Sequence, residues 1–214
     1  MSEIMETLIL GTFSIVAVDP DAGACGAAVA SKYPAVGKLV PYVRAGVGAF
    51  CTQHALNPDW GEPALDMLAE GLLPEAVLGR LLHDDAYRGK RQLAIIDMAG
   101  RAANRNCDGA DPDGLWWGSM AGRFYACQGN TLVGMKVLVA MARAYEETDG
   151  SLADRLMAAL LAGDRVGGDH RGRLAAGLRV AGPDPEAAVL ALDVDQNDDA
   201  VRELDRAYRA GPAL

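Results

Sequence analysis

The sequence has few basic residues, and it offers little that would attract a charged polymer or a membrane. It contains 20 Lys and Arg against 29 Asp and Glu, for a formal net charge of −9, and no run of four basic residues occurs. Nucleic acids and anionic membranes bind proteins through basic patches, so neither is expected as the main partner. No stretch reaches the roughly 18 consecutive apolar residues of a membrane-spanning helix. A small-molecule substrate fits this composition better.

Metal-binding and export signals are also lacking. The chain has four cysteines and three histidines, all far apart in sequence: Cys25, Cys51, Cys107, Cys127, His54, His83 and His170. Without a C-x-x-C pair, structural zinc is not expected, nor is any other metal or cofactor. The first eleven residues carry two acids and no base, unlike a signal peptide. We therefore expect a cytoplasmic protein with free thiols.

Half of the 214 residues are apolar, which is enough for one sizeable core. We predict a single domain over residues 12–214, preceded by residues 1–11 as an N-terminal extension or short propeptide.

The order of predicted elements indicates two antiparallel sheets. Apolar strands at residues 12–19 and 24–31 flank a Pro/Asp/Gly turn, and short strands are expected within residues 32–57. The other predicted strands cover residues 92–97, 101–104, 125–130, 174–180 and 187–194, and residues 107–122 are predicted to be a loop. Helices are predicted over residues 62–70, 74–83, 135–147, 152–162 and 200–209. Because the helices come mostly in pairs rather than alternating with strands, we predict an α+β sandwich with a helical layer outside each sheet.

Thr12 is the most informative candidate, because it opens the first buried strand and follows Gly11. Cleavage before such a residue places an amine beside a hydroxyl, as an N-terminal nucleophile requires. The same residue is also an ordinary β-branched strand former, and the local pattern alone leaves both interpretations open.

The chain resembles an uncharacterised family assigned to the N-terminal nucleophile (Ntn) hydrolases, whose members typically open M-T-F-S-I-V-A. The resemblance covers nearly the whole chain and rests on the segments at residues 12–17, 31–32, 35–37, 45–49, 52–53, 128–130, 132–134, 167–169 and 171–173. It implies a four-layer αββα fold with two antiparallel sheets between helical layers. It also favours Thr12 as the nucleophile, exposed by cleavage of Gly11–Thr12.

If cleavage exposes Thr12, a base, a nearby cation and an oxyanion donor can be assigned to it. Its own amine would act as base, and the cation of Lys32 would lower the pKa of that amine. Asn130 is the candidate oxyanion donor. Lys32 is equally consistent with a solvated strand end, and Asn130 with an amide that caps a turn.

Further residues are candidates for contact with the substrate. These are Ser31, Thr52, Gln53, Gln128, Gly129, Asp169 and Arg171. Arg171 suits a carboxylate group on the substrate, although Asp169 and Arg171 are also consistent with a surface ion pair.

The chain departs from the family pattern at three places. In typical relatives the Thr follows the initiator Met directly, whereas here residues 2–11 separate Met1 from Thr12. Arg105-Asn106-Cys107 replaces a usual His-Thr-Gly, and Ser119 replaces a His. Two functions follow as hypotheses. The first is an amidohydrolase that cleaves a small amide or peptide-like C–N bond through Thr12. The second is an uncleaved, non-catalytic binding or scaffold protein. A homo-oligomer is expected in either case.

Overall fold

The computed structural model describes residues 9–109 and 116–211. The strands within these ranges are β1 (Ile9–Leu10), β2 (Thr12–Asp19), β3 (Ala24–Ser31), β4 (Pro41–Arg44), β5 (Gly48–Ala55), β6 (Arg91–Asp97), β7 (Ala102–Arg105), β8 (Trp116–Gly122), β9 (Tyr125–Leu132), β10 (Ala175–Ala181) and β11 (Leu190–Val194). The α-helices are α1 (Gly61–Ala69), α2 (Pro74–Leu82), α3 (Lys136–Glu147), α4 (Leu152–Arg165) and α5 (Ala200–Ala210). None of the described helices is long and apolar enough to cross a membrane.

The strands form two antiparallel sheets. The smaller sheet has the order β1-β5-β6-β7, with β4 also paired to β5. The larger sheet has the order β11-β10-β3-β2-β9-β8, which makes β2 and β3 central strands. Hairpins connect β2 to β3, β8 to β9 and β10 to β11. The first of these is the hairpin that the Pro/Asp/Gly turn after residue 19 predicts.

Alternation along β2 decides which side chains meet the helices. Phe13 and Ile15 are fully buried in a cluster with Met141 of α3 and Leu156 of α4. Val16 lies on the opposite face and packs in a second cluster that includes residues of the smaller sheet. Because side chains alternate along a strand, Thr12 and Ser14 lie on the same face as Val16, toward the other sheet.

The smaller sheet is packed in the same two-sided way. Phe50 of β5 and Leu93 of β6 pack against α1 and α2, in a cluster with Leu65 and Val77. Cys51, next to Phe50, joins the cluster shared by both sheets. That shared cluster makes one end of the interface between the sheets apolar. The other end contains buried polar side chains.

Three predicted boundaries are wrong by three residues or more. The strand expected at residues 187–194 begins only at Leu190. Residues 107–122 were expected to form a loop, but Trp116–Gly122 is a strand paired with β9. Helix α4 was expected to stop before Gly163, but it continues to Arg165. A Cβ at Gly163 would lie 2.8 Å from Met141 Cγ and 3.3 Å from Phe13 Cε2, so the glycine allows close helix packing rather than ending the helix.

The N-terminal extension joins the two sheets. Its described part, β1, pairs antiparallel with β5 of the smaller sheet through Ile9–Ala55 and Leu10–His54. Gly11 follows, and the chain then enters β2 of the larger sheet. Residues 1–8 of the predicted extension lie outside the described residues.

Candidate active site

The strand register brings Thr12 between two other predicted site residues. Thr12 pairs with Ser31 of β3 on one side and with Asn130 of β9 on the other. Residues paired across neighbouring strands project their side chains to the same face of the sheet. All three are fully buried, so the sheet itself builds a polar group around the start of β2.

A chain of hydroxyls connects Thr12 to the carbonyl of the preceding peptide bond. The Thr12 hydroxyl donates to Ser31 Oγ at 3.1 Å, and the Ser31 hydroxyl donates to the Gly11 carbonyl oxygen at 2.6 Å. The backbone N–H of Tyr33 also donates to Ser31 Oγ at 3.0 Å. Ser31 is thus fixed by two donors while its own proton is directed at the Gly11 carbonyl.

Ser31, rather than Lys32, makes the direct contact with Thr12. Successive side chains of a strand point to opposite faces, and Lys32 follows Ser31 at the end of β3, where it is exposed. The structure therefore does not bring Lys32 into the buried polar group.

Buried amides of the opposite sheet complete this group. Gln53 of β5 accepts from the Ser14 hydroxyl at 2.7 Å, and its Nε2 donates to the Thr12 carbonyl at 3.3 Å. The same Nε2 donates to Gln92 Oε1 at 2.8 Å. Asn130 Nδ2 donates to Gln92 Oε1 at 2.9 Å. Gln92 of β6 therefore connects Gln53 and Asn130.

The orientation of this amide network follows from its backbone contacts. Gln92 Nε2 lies 2.9 Å from the Gly129 carbonyl and 3.3 Å from the Gly118 carbonyl. Backbone carbonyls only accept hydrogen bonds, so the Gln92 nitrogen must face them and its oxygen must face Gln53 and Asn130. Both neighbours then present nitrogen to it. As a result, Asn130 Oδ1 is a buried acceptor with no hydrogen-bond partner among the described residues.

The other predicted contacts on β5 and β9 differ in their placement. Gln128 is fully buried, yet neither polar atom of its amide has a partner within the described part of the chain. Gly129 contributes its carbonyl to Gln92. Thr52 lies on the face of β5 opposite to Gln53, and its Oγ1 accepts from the N–H of Asn57 at 3.1 Å. Thr52 thus stabilises a turn and is separated from Thr12.

Asp169 and Arg171 lie against Gly11. Arg171 donates to Asp169 through Nε at 3.2 Å and Nη2 at 3.0 Å, and the Asp169 side chain is completely buried. A Cβ placed on Gly11 would lie 1.8 Å from Arg171 Nη2, 2.0 Å from Thr131 Oγ1 and 2.2 Å from Asp169 Oδ2. The pair is therefore part of the site, packed on the peptide that precedes Thr12.

Two non-glycine residues beside Gly11 have left-handed backbone conformations. His54, paired with Leu10, has φ of 64°, and Thr131 has φ of 52°. Such conformations are unfavourable for residues with a side chain, and they concentrate at functional sites. They add an independent reason to place the site at the start of β2.

The buried cysteines are poorly suited to act as nucleophiles. Burial raises the pKa of Cys51 to about 12, although a hydrogen bond with Ser14 acts in the opposite direction. Burial likewise raises the pKa of Cys25 to about 11 and that of Cys127 further still. Thiols with these pKa values stay protonated at neutral pH. Among the residues that the structure describes, no group of three or more His, Cys, Asp or Glu side chains could hold a metal ion.

The network contains three polar residues that sequence patterns did not predict as site residues: Gln92, Asn106 and Ser119. Gln92 Nε2 donates to Asn106 Oδ1 at 3.0 Å, and Asn106 Nδ2 donates to Ser119 Oγ at 3.0 Å. A signal was present for Gln92: it lies two residues before Ala94 and four before Ile96, so it shares a strand face with these two inward-facing apolar residues. Ser119 and Asn106 lie at two of the departures from the family pattern, and they contact each other.

The fold and site together define a mixed α/β protein with two antiparallel sheets, five described helices and a buried polar group at the start of a central strand. Residues 12–204 match the model of a family of unknown function (DUF1028), and the chain belongs to that family.

The chain is similar to a crystal structure of a protein of the same family from Silicibacter pomeroyi, with 31% identity, a TM-score of 0.83, and coverage of 96% of this chain and 90% of that one. A more distant match is Anbu (ancestral beta-subunit) from Yersinia bercovieri, at 12% identity and a TM-score of 0.40, covering 94% of this chain and 98% of that one. A search of curated proteins found no match.

Proposed function

We propose that the protein is an N-terminal nucleophile hydrolase with a four-layer αββα fold, which cleaves its own Gly11–Thr12 bond and then hydrolyses an amide C–N bond of a small substrate. The observation that carries this proposal is the contact of Ser31 with both the Thr12 hydroxyl and the Gly11 carbonyl. A candidate nucleophile, a proton acceptor and a donor to the carbonyl oxygen thus meet at one peptide bond.

The cleavage step uses the Thr12 and Ser31 hydroxyls. Thr12 Oγ1 attacks the carbonyl carbon of Gly11 while its proton passes to Ser31 Oγ, and Ser31 Oγ gives its own proton to the Gly11 oxygen, where negative charge would otherwise develop. When the carbonyl double bond re-forms, the C–N bond breaks, and the Gly11 oxygen returns its proton through Ser31 to the Thr12 nitrogen, which becomes an amine. Gly11 is then joined to Thr12 Oγ1 by an ester bond. Water hydrolyses the ester, so that residues 1–11 leave and Thr12 retains both its amine and its hydroxyl.

After processing, the site would form and break bonds with a substrate in the same order as in self-cleavage. The Thr12 amine, with an ordinary pKa of about 7.7–8.0, takes the hydroxyl proton as the nucleophile attacks. Ser31 and the second hydrogen of Asn130 Nδ2 are the proposed oxyanion donors. Lys32 is kept only as an exposed cation beside the site. Arg171, whose side chain is 35% exposed, is the proposed contact for a polar or carboxylate group of the substrate.

Intact mass spectrometry of the protein without an N-terminal tag tests the proposal. We expect loss of residues 1–11 in the wild type and retention of the full chain in Thr12→Ala. Ser31→Ala should slow cleavage by about 100-fold or more, because removal of one oxyanion donor has an effect of that order. Ser151→Ala, which removes a hydroxyl at the start of α4, is the matched control and should be processed at the wild-type rate.

A second function is favoured by one specific observation. Gly11 is buried, and β1 occupies the edge of β5, so the uncleaved chain fills its own site. If the wild type keeps its full mass, or loses only Met1, the amine of Thr12 stays acylated and lacks its role as a base. The protein would then be a non-catalytic binding or scaffold protein. Exposed apolar residues before and within α3, namely Val133, Met135 and Val139, support self-association in either case.

A further inference from the structure

The segment that precedes Thr12 lies in the site like the acyl part of a substrate. Its residues Ile9 and Leu10 form an antiparallel strand on the edge of β5, opposite Ala55 and His54. Gly11 follows. Its carbonyl oxygen accepts a hydrogen bond from the Ser31 hydroxyl, and its carbonyl carbon is bonded to the nitrogen of Thr12. Cleavage would vacate this edge of β5, which could then pair with another extended chain through main-chain hydrogen bonds.

The position that a Cβ on Gly11 would take is already occupied by other atoms. The three atoms that a Cβ would meet belong to Arg171, Thr131 and Asp169, at 1.8, 2.0 and 2.2 Å. These distances are far below van der Waals contact, so a methyl group cannot enter unless the neighbours move.

The neighbours are held in place by several contacts. Asp169 is fixed by Arg171 and by a bridge between its backbone and Leu132. The Thr131 hydroxyl donates to the Asn130 carbonyl at 2.7 Å. Moving Arg171 away would leave the buried Asp169 carboxylate without its cation, which is unfavourable in a buried environment. The atoms around the Gly11 α-carbon are therefore held in place by their own contacts.

We propose that the processed enzyme selects acyl groups with an unsubstituted α-carbon, so that its substrates are N-acylglycyl amides bound as an extended strand along β5. This inference rests on the proposed function and specifies the substrate class of the same site. Thr12 Oγ1 forms an ester with the glycyl carbonyl carbon as the C–N bond breaks. The leaving amine takes the proton held by the Thr12 amine, and water then hydrolyses the ester.

The test compares two fluorogenic amides that differ by one methyl group. Acetyl-Ile-Leu-Gly and acetyl-Ile-Leu-Ala, each coupled to 7-amino-4-methylcoumarin, are incubated with the full-length gene product, whose intact mass is recorded in the same sample. We expect kcat/KM for the glycyl amide to exceed that for the alanyl amide by about 100-fold, an effect within the range for discrimination by one methylene. Acetyl-Gly coupled to the same amine should have a higher KM, because it cannot pair with β5.

Two variants test whether the filled space causes the selection. Arg171→Ala removes the nearest atom, and Thr131→Gly removes the second while suiting the left-handed backbone. For each variant, kcat/KM for the alanyl amide divided by kcat/KM for the glycyl amide should rise by roughly 10-fold. The matched control is Arg143→Ala, since Arg143 is an exposed arginine paired with Glu147 on α3, and it should leave the ratio unchanged.

The outcomes separate this proposal from the one on which it rests. A processed protein that hydrolyses both amides equally remains a hydrolase but overturns the selection for glycine. A processed protein that hydrolyses neither overturns the substrate class while leaving the cleavage of Gly11–Thr12 established. A chain that keeps residues 1–11 overturns both proposals, because the acyl site then stays filled.

Discussion

Gln92 is the residue on which the buried network should depend most for stability. Its side chain is fully buried and makes hydrogen bonds to Gln53, Asn130, Asn106 and two backbone carbonyls. Gln92→Met keeps the length of the side chain and removes all of these bonds. At a minimum, the fully buried Asn130 and the half-buried Asn106 each lose a partner. A buried group left without a partner costs about 1–3 kcal/mol, so we expect a loss of about 3 kcal/mol in the free energy of unfolding.

Thermal unfolding followed by circular dichroism measures this loss. For a domain of this size, 1 kcal/mol corresponds to about 2–4 °C in Tm, so Gln92→Met should lower Tm by about 6–12 °C. Gln128→Met is the matched control, because Gln128 is equally buried but makes no side-chain hydrogen bond within the described residues. Its Tm should stay the same or rise. A fall of less than about 2 °C for Gln92→Met, or equal falls for both variants, would refute the reasoning.

Gln92→Glu adds a pH-dependent version of the same test. The introduced carboxyl would place an oxygen opposite the carbonyls of Gly118 and Gly129, which accept from the Gln92 nitrogen. Repulsion and burial should raise the pKa of that carboxyl in the folded state above its unfolded value of about 4.3. The variant should therefore be destabilised at neutral pH and should regain stability, relative to wild type, as the pH falls toward 4. A difference in Tm from wild type that does not change between pH 7 and pH 4.5 would contradict this placement.

Two further predictions concern other parts of the chain. Ser151→Ala should lower the free energy of unfolding by about 1 kcal/mol at pH 7, because Ser151 and Asp154 form a capping box at the start of α4. The hydrogen bond from Ser151 lowers the pKa of Asp154, so this contribution is complete above the unfolded pKa of about 3.9 and is lost as the pH falls through the folded value; denaturant unfolding at pH 7 and pH 3 checks it. Iodoacetamide at pH 8 should not label the four buried cysteines in the native protein but should label all of them in denaturant, and rapid native labelling of Cys51 would contradict its burial and its raised pKa.

The sequence predicts the central hairpin well because its signals are local. β2 and β3 have the predicted bounds, since apolar and β-branched residues end at a turn rich in Pro, Asp and Gly. The strand β8 was missed because Trp116–Gly122 combines small residues with weak alternation, and pairing with β9 stabilises it instead.

Candidate residues of the site are predictable only where one strand pair decides their position. The register of β2 with its neighbours joins Thr12, Ser31 and Asn130, all of which were expected from sequence. Ser31 and Lys32 point to opposite faces of the sheet. Which of them faces Thr12 depends on the register between β2 and β3, and the sequence alone does not specify that register. Gln92 stands out in the sequence as a polar residue on an apolar face of its strand, but its partners depend on packing between the two sheets, and no local pattern specifies those contacts.

The distribution of buried polar groups gives a physical argument for function. One end of the interface between the sheets is apolar, with Val16, Val29 and Ala94, so these sheets can pack without polar side chains. The other end contains fully buried hydroxyls and amides, including Asn130 and Gln128 with atoms that have no partner among the described residues. Such groups destabilise a core whether or not they have a function, and departures of this kind from local rules are expected at functional sites. Here the polar groups surround one peptide bond, and that bond connects the extension to Thr12. A purely structural role would not require this concentration at Gly11–Thr12, whereas chemistry at that bond would.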